Sequence, residues 1–581
     1  MYSIINCILV GFFIFVLIVL LSYRITRSVE TTDEIHGIAS IINIIQGKKP
    51  FVTSWDYHTG WCLVTPFYYC FLSINNGKRE GVVLFSRVLY FVITIIISGF
   101  SAILVYKKTK KIAAFLLIGL TAWVPFSIFQ LSYNSLTVYL LLLGTVLISN
   151  NLEKDKSDIY WLLAGIVFGF VCINYPTVLL LTFLVALLIL NSQKHNRGLK
   201  KSLFFTCGVL VVGLTFAIWV LSDSSLQSII AGITSMLNSP HEKTKGIINF
   251  VFLRETFCEP FLSFLKTKNY LLVYLIIQTC FAVCFKLNKS LNKIISTGSL
   301  LLYLVFMIYN AYYFRSYTNL QYYSLNLFIS TIAWIICDKY VFANEVVIFV
   351  AVEIAFSLIY CFTSDNKNFM LGIMLCNILT VYSGIVSLLQ RKQPFDIAER
   401  HTVFDTYKDC INTIIIFVIF IVPGILSTYS YVYRDQAIEY LNTKVSSGVF
   451  EGLYTSKERR EFIMKFEDFI SENTNSNETI CVVTREPMIY VMSDARIQSP
   501  QTWDPQYLYR GYTSSEPLLS YFKDLNIEYP DTIIATNSAP SDFFENNQYE
   551  IKEFINENYS LYRMEEIDGI KVAIWHYNQL N

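Results

Sequence analysis

The sequence predicts an α-helical multi-pass membrane protein with about thirteen spans, followed by a small C-terminal α/β domain. Of its 581 residues, 54% are hydrophobic and only 15% are charged. A typical soluble domain has about 25% charged residues, so most of this chain is suited to lipid. Apolar runs of roughly 17 to 25 residues recur along the first three quarters of the chain, and each is long enough to cross a bilayer as a helix.

The first apolar run is predicted to be a retained span, because it lacks the basic segment and the small-residue cleavage site of a signal peptide. The predicted spans are, in chain order, residues 3–23, 82–106, 112–131, 134–150, 159–174, 176–192, 202–221, 270–286, 294–313, 321–341, 345–363, 367–389 and 412–433.

The charges of the short connections predict the orientation of the spans. Lys and Arg cluster after the second, sixth, eighth and twelfth spans, whereas alternate connections such as 132–134 and 364–366 contain neither residue. The positive-inside rule then places the N-terminus in the cytoplasm, and an odd number of spans places the C-terminus outside.

This topology divides the chain into a membrane domain, residues 1–434, and an extracytoplasmic α/β domain, residues 435–581. Residues 24–81 and 222–269 are predicted to be outer loops of the membrane domain. In the C-terminal domain, β-prone runs alternate with helical patterns, and Asp568-Gly569 has the composition of a hairpin turn. The predicted strands are 480–484, 532–536 and 572–577, and the predicted helices are 457–471, 516–525 and 550–558.

Several classes of site and of protein are disfavoured. The 13 cysteines include no CxxC pair, and the C-terminal domain contains only Cys481, so neither a zinc site nor an internal disulfide of that domain is predicted. A net charge of +1 gives no electrostatic basis for nucleic acid as a partner. The chain also lacks the phosphate loop, GxGxxG, HExxH and GxSxG motifs, which makes a nucleotide-driven pump or a membrane metalloprotease an unfavourable interpretation.

Ionisable residues are concentrated in the first outer loop. Asp33 and Glu34 begin an apolar-periodic stretch, residues 35–45, soon after the first span. One interpretation is structural: Thr32 or Asp33 caps this helix, and Glu34 complements its dipole. The other is catalytic, since a partly desolvated carboxylate at a membrane surface suits a general base.

The first outer loop, TDEIHGIASIINIIQGKKPFVTSWDYHTGW, resembles that of the GT-C glycosyltransferases. In both, a span is followed by an acidic pair, a helix that runs to a glycine, then proline and a Tyr/His/Gly/Trp cluster. The likeness extends to Arg87 in the second span (LFSRVLYF), to the polar turn SYNSL between the third and fourth spans, and to the α/β domain after the last span.

The resemblance implies an enzyme of the bacterial cytoplasmic membrane that transfers a sugar, with inversion, from a polyprenyl-phosphate carrier to a glycan, lipid or protein acceptor on the outer face. It implies that Asp33 is the base and that Glu34 holds the acceptor. No cofactor is predicted, and a divalent ion on Asp33, Glu34, Asp56 and His58 is conceivable but not predicted. The candidate substrate-binding residues are Asp56, Tyr57, His58, Arg87, Arg254 and Arg315.

Other interpretations stay open at this point. Arg315 could be an interfacial arginine that extends toward water, and Arg254 could lie on a solvated amphipathic face. Tyr57, His58 and Trp61 could stack on a sugar, order the loop or anchor it at the interface. A polysaccharide polymerase or ligase, or a transporter of lipid-linked glycans, is the alternative function for the whole chain.

Overall fold

The computed structural model describes most of the chain outside one central segment. Between residues 238 and 317 it describes only six isolated positions. It covers residues 2–238 and 317–578 except for 57, 153–156, 192–194, 223, 338–343, 364–367, 391–402, 504–515, 539 and 548. Tyr57, Arg254 and Arg315 lie outside the described residues. The predicted spans 270–286 and 294–313 do too, apart from isolated positions.

The described chain is mostly helical up to residue 430. Its α-helices in this part, in chain order, are α1 (Tyr2–Ile25), α2 (Asp33–Ile45), α3 (Trp61–Ile74), α4 (Val82–Thr109), α5 (Tyr133–Leu152), α6 (Ile159–Asn174), α7 (Leu179–Asn191), α8 (His195–Leu221), α9 (Leu226–Asn238), α10 (Tyr317–Cys337), α11 (Asn344–Thr363), α12 (Phe369–Leu375), α13 (Asn377–Gln390), α14 (Val403–Ile416) and α15 (Val422–Ser430).

Among the described residues, five helical segments are long and apolar enough to cross a membrane: Ile4–Ile25, Val82–Thr109, Tyr133–Asn151, Arg197–Leu221 and Asp409–Ser430. Helices α12 and α13, bent by 59° at their junction, make a sixth when they are counted as one span. Several other predicted spans form apolar helices of 10–17 residues. At 1.5 Å per residue these are shorter than the roughly 30 Å hydrocarbon core, so the total of thirteen spans stays a prediction.

The predicted third span, residues 112–131, differs most from expectation. Ile112–Ala122 forms a 3₁₀ helix, and a second 3₁₀ turn begins at Pro125. Proline lacks the backbone N–H that a continuing helix needs, and it disfavours helical geometry in the preceding residue. A continuous α-helix over this segment is therefore wrong.

The chain forms two compact units. The first contains residues 1–25, 89–213 and 248–433, and the second contains residues 26–88, 214–247 and 434–581. In the first unit, the buried carboxyl group of Glu353 on α11 accepts a hydrogen bond from Thr380 Oγ1 on α13. A polar contact between helices is what an acidic residue within an apolar segment requires.

The second unit joins the first predicted outer loop to the C-terminal domain. Beyond α2 and α3 of the loop, its elements are β1 (Thr443–Lys444), β2 (Tyr454–Thr455), α16 (Lys457–Glu472), β3 (Thr479–Val482), α17 (Met488–Met492), β4 (Arg496–Ile497), α18 (Glu516–Asp524), β5 (Thr532–Thr536), α19 (Glu550–Asn558), β6 (Tyr559–Ile567) and β7 (Ile570–Tyr577).

Five of these strands form one mixed sheet in the order β4-β3-β5-β7-β6. The pairs β4–β3 and β3–β5 are parallel, whereas β5–β7 and β6–β7 are antiparallel. The predicted hairpin is present, because Ile567 pairs with Ile570 across the two-residue turn Asp568-Gly569. Both turn residues have positive φ, 47° and 87°, as a tight type I′ turn requires.

The first loop contributes directly to the hydrophobic core of the C-terminal domain. Trp55 is buried in the same cluster as Cys481, Ile533 and Tyr521, and its ring lies 5.2 Å from that of Tyr521 in an edge-to-face arrangement. Its backbone N–H also donates to Pro500 O at 2.6 Å. A buried tryptophan removes roughly 150–250 Å² from water, so the loop and the domain stabilise one another.

A second connection between loop and domain is made by Arg79. Its Nη1 donates to the carbonyl oxygens of Tyr490, Val491 and Ser493 at the C-terminal end of α17. The last carbonyl groups of a helix have no partner within the helix, and the partly buried guanidinium group of Arg79 satisfies several of them together. Burial lowers the pKa of Arg79, and nearby Asp494 opposes that effect.

We therefore expect Arg79→Ala to destabilise the second unit by about 2–3 kcal/mol, the scale of a charged hydrogen bond in a buried setting. Thermal unfolding of the purified full chain in detergent, followed by tryptophan fluorescence, measures the loss. Lys78→Ala is the matched control, because Lys78 is the neighbouring cation and is exposed. Equal midpoints for the two variants would contradict a structural role for Arg79.

Candidate functional site

The segment between α1 and α2 is held by the residues that follow α15. Ser28 N donates to Tyr454 O at 2.9 Å and Tyr454 N to Thr26 O at 2.8 Å. Asp435 Oδ2 accepts hydrogen bonds from Val29 N at 2.7 Å and from Thr455 Oγ1 at 2.9 Å. The acidic residues of the loop are therefore positioned by a part of the chain some four hundred residues away in sequence.

Glu30 is the residue that caps α2. Its Oε1 accepts from Thr32 N at 2.9 Å and its Oε2 from Glu34 N at 2.7 Å, and Thr32 Oγ1 also donates to it. The side chain of Thr32, although at the N-cap position, makes no capping hydrogen bond within the described part of the chain. Thr32 is thus at the N-cap position, as one interpretation predicted, but the capping hydrogen bonds are accepted by the carboxylate of Glu30, two residues earlier.

Glu34 and Arg87 form a buried bidentate ion pair. Arg87 Nε donates to Glu34 Oε1 at 2.7 Å and Nη2 to Oε2 at 2.6 Å, and both side chains are only 2% exposed. Arg87 Nη1 also donates to the carbonyl oxygens of Arg27 and Ser28, at 2.9 and 3.2 Å. Each group of this pair is thus engaged inside the protein, and the pair ties α4 to α2 and to the segment before it.

Asp33, by contrast, is open to solvent. Its side chain is 30% exposed, and its Oδ2 lies 3.1 Å from Nη1 of Arg434, a residue that comes shortly after α15. The same Nη1 lies 3.8 Å from Glu30 Oε1 and donates to Thr32 Oγ1. Among Glu30, Asp33 and Glu34, Asp33 is the carboxylate that a substrate can reach.

Arg434 is the residue that the sequence analysis missed. Two features could have pointed to it: it follows the last predicted span directly, and the predicted topology places it on the same side as Asp33. Its backbone φ of 52° lies in the left-handed region, as does that of Ser28 at 79°. Such conformations are uncommon outside glycine and are maintained only where the surroundings enforce them.

Burial alters the titration of the carboxylates around Asp33. Burial, together with the charge of Asp33, raises the pKa of Glu30 to about 7. Burial likewise raises the pKa of Glu486, in the loop after β3, to about 7, with Arg459 opposing the rise and Glu30 adding to it. Near neutral pH, each of these two residues is therefore partly protonated.

Asp56 and His58, in the loop before α3, lie in a second polar cluster that includes His36 and Ser40 of α2. Asp56 is buried and accepts from Ser40 Oγ at 2.9 Å, Trp61 Nε1 at 3.1 Å and His58 N at 2.9 Å. His36 Nε2 is 3.3 Å from its Oδ2. Burial alone would raise the pKa of Asp56, but the interactions with His36 and then His58 lower it below its usual range.

This second cluster also binds the C-terminal domain. Ser40 Oγ is 2.7 Å from Thr502 Oγ1, and the ring of the next residue, Trp503, lies 5.2 Å from that of His36. Asp56 is thus an ionised anchor between the loop and the domain. Substrate binding by His58 stays a prediction, whereas its backbone N–H donates to the Asp56 anchor.

The described residues bring together Asp33, Glu34 and Arg87 in one region and Asp56 with His58 in another. No group of three or more His, Cys, Asp or Glu side chains within the described ranges is arranged to hold a metal ion. No protein-family model matches the chain, and no curated protein matches its sequence. The functional interpretation therefore depends on the residues and their geometry.

Proposed function

We propose that this chain is an integral membrane glycosyltransferase, with its C-terminal domain outside the cytoplasm. It moves a sugar from a polyprenyl-phosphate carrier to a glycan, lipid or protein acceptor on the outer membrane face, with inversion. The observation that carries the proposal is the partly exposed carboxylate of Asp33 beside the guanidinium group of Arg434. A base and a cation next to each other are the two groups that this chemistry needs.

In the proposed reaction, the acceptor hydroxyl oxygen forms a bond to the anomeric carbon of the sugar. The bond from that carbon to the phosphate oxygen breaks, and its electron pair stays on the carrier phosphate. The acceptor proton passes to the carboxylate of Asp33, acting as general base. The leaving phosphate needs a cation to stabilise its charge, and Arg434, whose side chain is 46% exposed, can reach it.

The roles of Glu34 and Arg87 differ in this proposal from those that the resemblance implies. Both are buried and bonded to each other, so we assign them to positioning: they fix the N-terminal end of α2 and thereby the direction of Asp33. Arg434 takes over substrate binding from Arg87, and we assign it to the phosphate group of the carrier. Asp56 and His58 anchor the loop on the C-terminal domain.

The test is sugar transfer in membranes supplied with radiolabelled polyprenyl-phosphate sugars, at matched expression of each variant. Asp33→Asn keeps the size of the side chain but removes the base, so turnover should fall at least about a hundredfold. Asp468→Asn is the matched control, since Asp468 is an exposed aspartate on α16, and it should retain full turnover.

Turnover by Asp33→Asn equal to that of the wild type would remove Asp33 from the mechanism. Absence of turnover by the wild type with every donor would count against the transferase. It would favour a polymerase, a ligase or a transporter of lipid-linked glycans.

A further inference from the structure

Helix α3, which lies within the predicted first outer loop, has an exposed apolar face. None of its 14 residues is charged. One side of the helix, which includes Trp61 and Tyr68, is buried inside the second unit. The opposite side presents Phe67, Cys70 and Ile74 at a spacing of three and four residues, with Phe67 44% and Ile74 79% exposed. A surface helix of a water-soluble loop would have polar residues on that side.

The length of α3 and its contact with α4 indicate where it lies. At 1.5 Å per residue, α3 is about 21 Å long, which is too short for the roughly 30 Å hydrocarbon core. Helix α4, in contrast, is long and apolar enough to cross a membrane. The ring of Phe85, in the first turn of α4, lies 5.3 Å from that of Tyr68 and 4.5 Å from that of Phe71. The middle of α3 is therefore at the level where α4 begins.

Helix α9, in the same unit, shows a similar pattern. It begins shortly after α8, which contains another segment long and apolar enough to cross a membrane. Leu226, Ile230 and Ile233 are 65%, 55% and 38% exposed and share one side of the helix. On another side, Gly232 is buried against the backbone carbonyl group of Phe51, where a side chain has no room. Both α3 and α9 thus adjoin the end of a possible span and pack against the first loop.

Helix α3 is also connected to the C-terminal domain. Its first residue, Trp61, donates from Nε1 to Asp56 at 3.1 Å. Asp56 accepts from Ser40 Oγ, which lies 2.7 Å from Thr502 Oγ1 of that domain. The position of α3 therefore affects the polar cluster and the domain that it anchors.

We propose that α3 and α9 are interfacial helices whose exposed apolar faces lie in the outer leaflet of the lipid bilayer, so that the first loop and the C-terminal domain are seated on the membrane surface. An interfacial helix lies in the plane of the membrane with its apolar side roughly 5–10 Å deep in the boundary between headgroups and acyl chains. This inference goes beyond the proposed function and does not depend on it, because it concerns lipid contact and not sugar transfer.

A second copy of this chain is the main alternative occupant of these faces. The ends of α4 and α8 that adjoin the two helices are also apolar and exposed, with Val88 42% and Ile218 69% exposed. Lipid is the expected environment of such residues on a span. A second copy would have to displace lipid there, and the described part of α3 presents no charged side chain that would orient a protein partner. Lipid is therefore the occupant that we assign.

The first experiment uses the native cysteine on the exposed face of α3. In the purified full chain in phosphatidylcholine nanodiscs, peptide mass spectrometry measures how fast a hydrophilic maleimide labels Cys70. A thiol reacts as its thiolate, which hydrocarbon disfavours, so labelling should be at least about tenfold slower than at the thiol introduced by Glu458→Cys. Glu458 is the matched control because it is an exposed site on α16. Equal rates would overturn the inference, since the face would then be in water.

The second experiment identifies what covers the two faces. Phe67→Trp and Ile230→Trp each add a fluorophore to one face, and Glu458→Trp is the control. In nanodiscs with brominated acyl chains, we expect the added emission of the first two variants to be quenched and that of the control to be unchanged. Slow labelling of Cys70 together with unquenched Phe67→Trp would show that protein covers α3, which would overturn the inference. Unquenched Ile230→Trp would overturn the assignment of α9.

Discussion

Arg87→Met is expected to lower the free energy of unfolding of the second unit by about 3–5 kcal/mol, the usual effect of removing one partner of a buried ion pair. The methionine retains most of the volume of the side chain but leaves the carboxylate of Glu34, only 2% exposed, without its bidentate partner. The carbonyl oxygens of Arg27 and Ser28 lose donors in the same substitution. The shift in the thermal midpoint of the purified full chain measures the effect.

Two companion variants separate the parts of this effect. Glu34→Gln keeps the hydrogen bonds of Arg87 to the two carbonyl groups, so its loss should be smaller than that of Arg87→Met. The double variant Glu34→Gln/Arg87→Met removes both charges, and its loss should be smaller than the sum of the two single losses. If the loss in the double variant equals the sum of the two single losses, the pair contributes no coupling energy.

Where an element is specified by local chemistry, the sequence predicts it well. The helix that begins at Asp33 follows from an apolar period after a polar turn, and the β6–β7 hairpin follows from Asp568-Gly569 between two β-prone runs. The main strands and helices of the C-terminal sheet lie at or within two residues of their predicted positions for the same reason. The absence of a continuous α-helix over the predicted third span also has a local cause, since Pro125 interrupts an otherwise apolar run.

The partners of the site residues could not be predicted in this way. Asp33, Glu34 and Arg87 stand out in the sequence as ionisable residues near predicted membrane depth, but the pairing of Glu34 with Arg87 is a tertiary contact between helices. Arg434 and Arg459 are brought to the loop by the fold of the C-terminal half. Neither periodicity nor composition contains that information, so the sequence pointed to the carboxylates and missed these cations.

The titration of Glu30 should make the stability of the second unit depend on pH between 4.5 and about 7. Burial raises its pKa from 4.5 to about 7, with the charge of Asp33 contributing next. The folded state therefore binds the proton more tightly than the unfolded state does. The stabilisation from this group is fully present below pH 4.5 and is lost as the pH rises through 7, by about 3 kcal/mol in total.

Glu30→Gln removes this titration while keeping an oxygen that can accept a hydrogen bond from Thr32 or Glu34. We expect thermal midpoints of this variant to fall less steeply than those of the wild type over the pH range 4.5 to 7. Glu458→Gln, an exposed glutamate in the first turn of α16, should follow the wild-type curve. Parallel curves for Glu30→Gln and the wild type would show that Glu30 stays ionised throughout the range.

The same variant also reports on the coupling between the loop and the C-terminal domain. The charge of Glu30 contributes to the raised pKa of Glu486, which lies beyond β3. Removing that charge should therefore lower the pKa of Glu486 and shift the remaining pH dependence to more acidic values. The ionisable groups near Glu30 are those of Asp33, Glu34, Arg434 and Glu486. If the pH dependence of the thermal midpoint shifts in Glu30→Gln but not in Glu458→Gln, the carboxyl groups of Glu30 and Glu486 interact electrostatically.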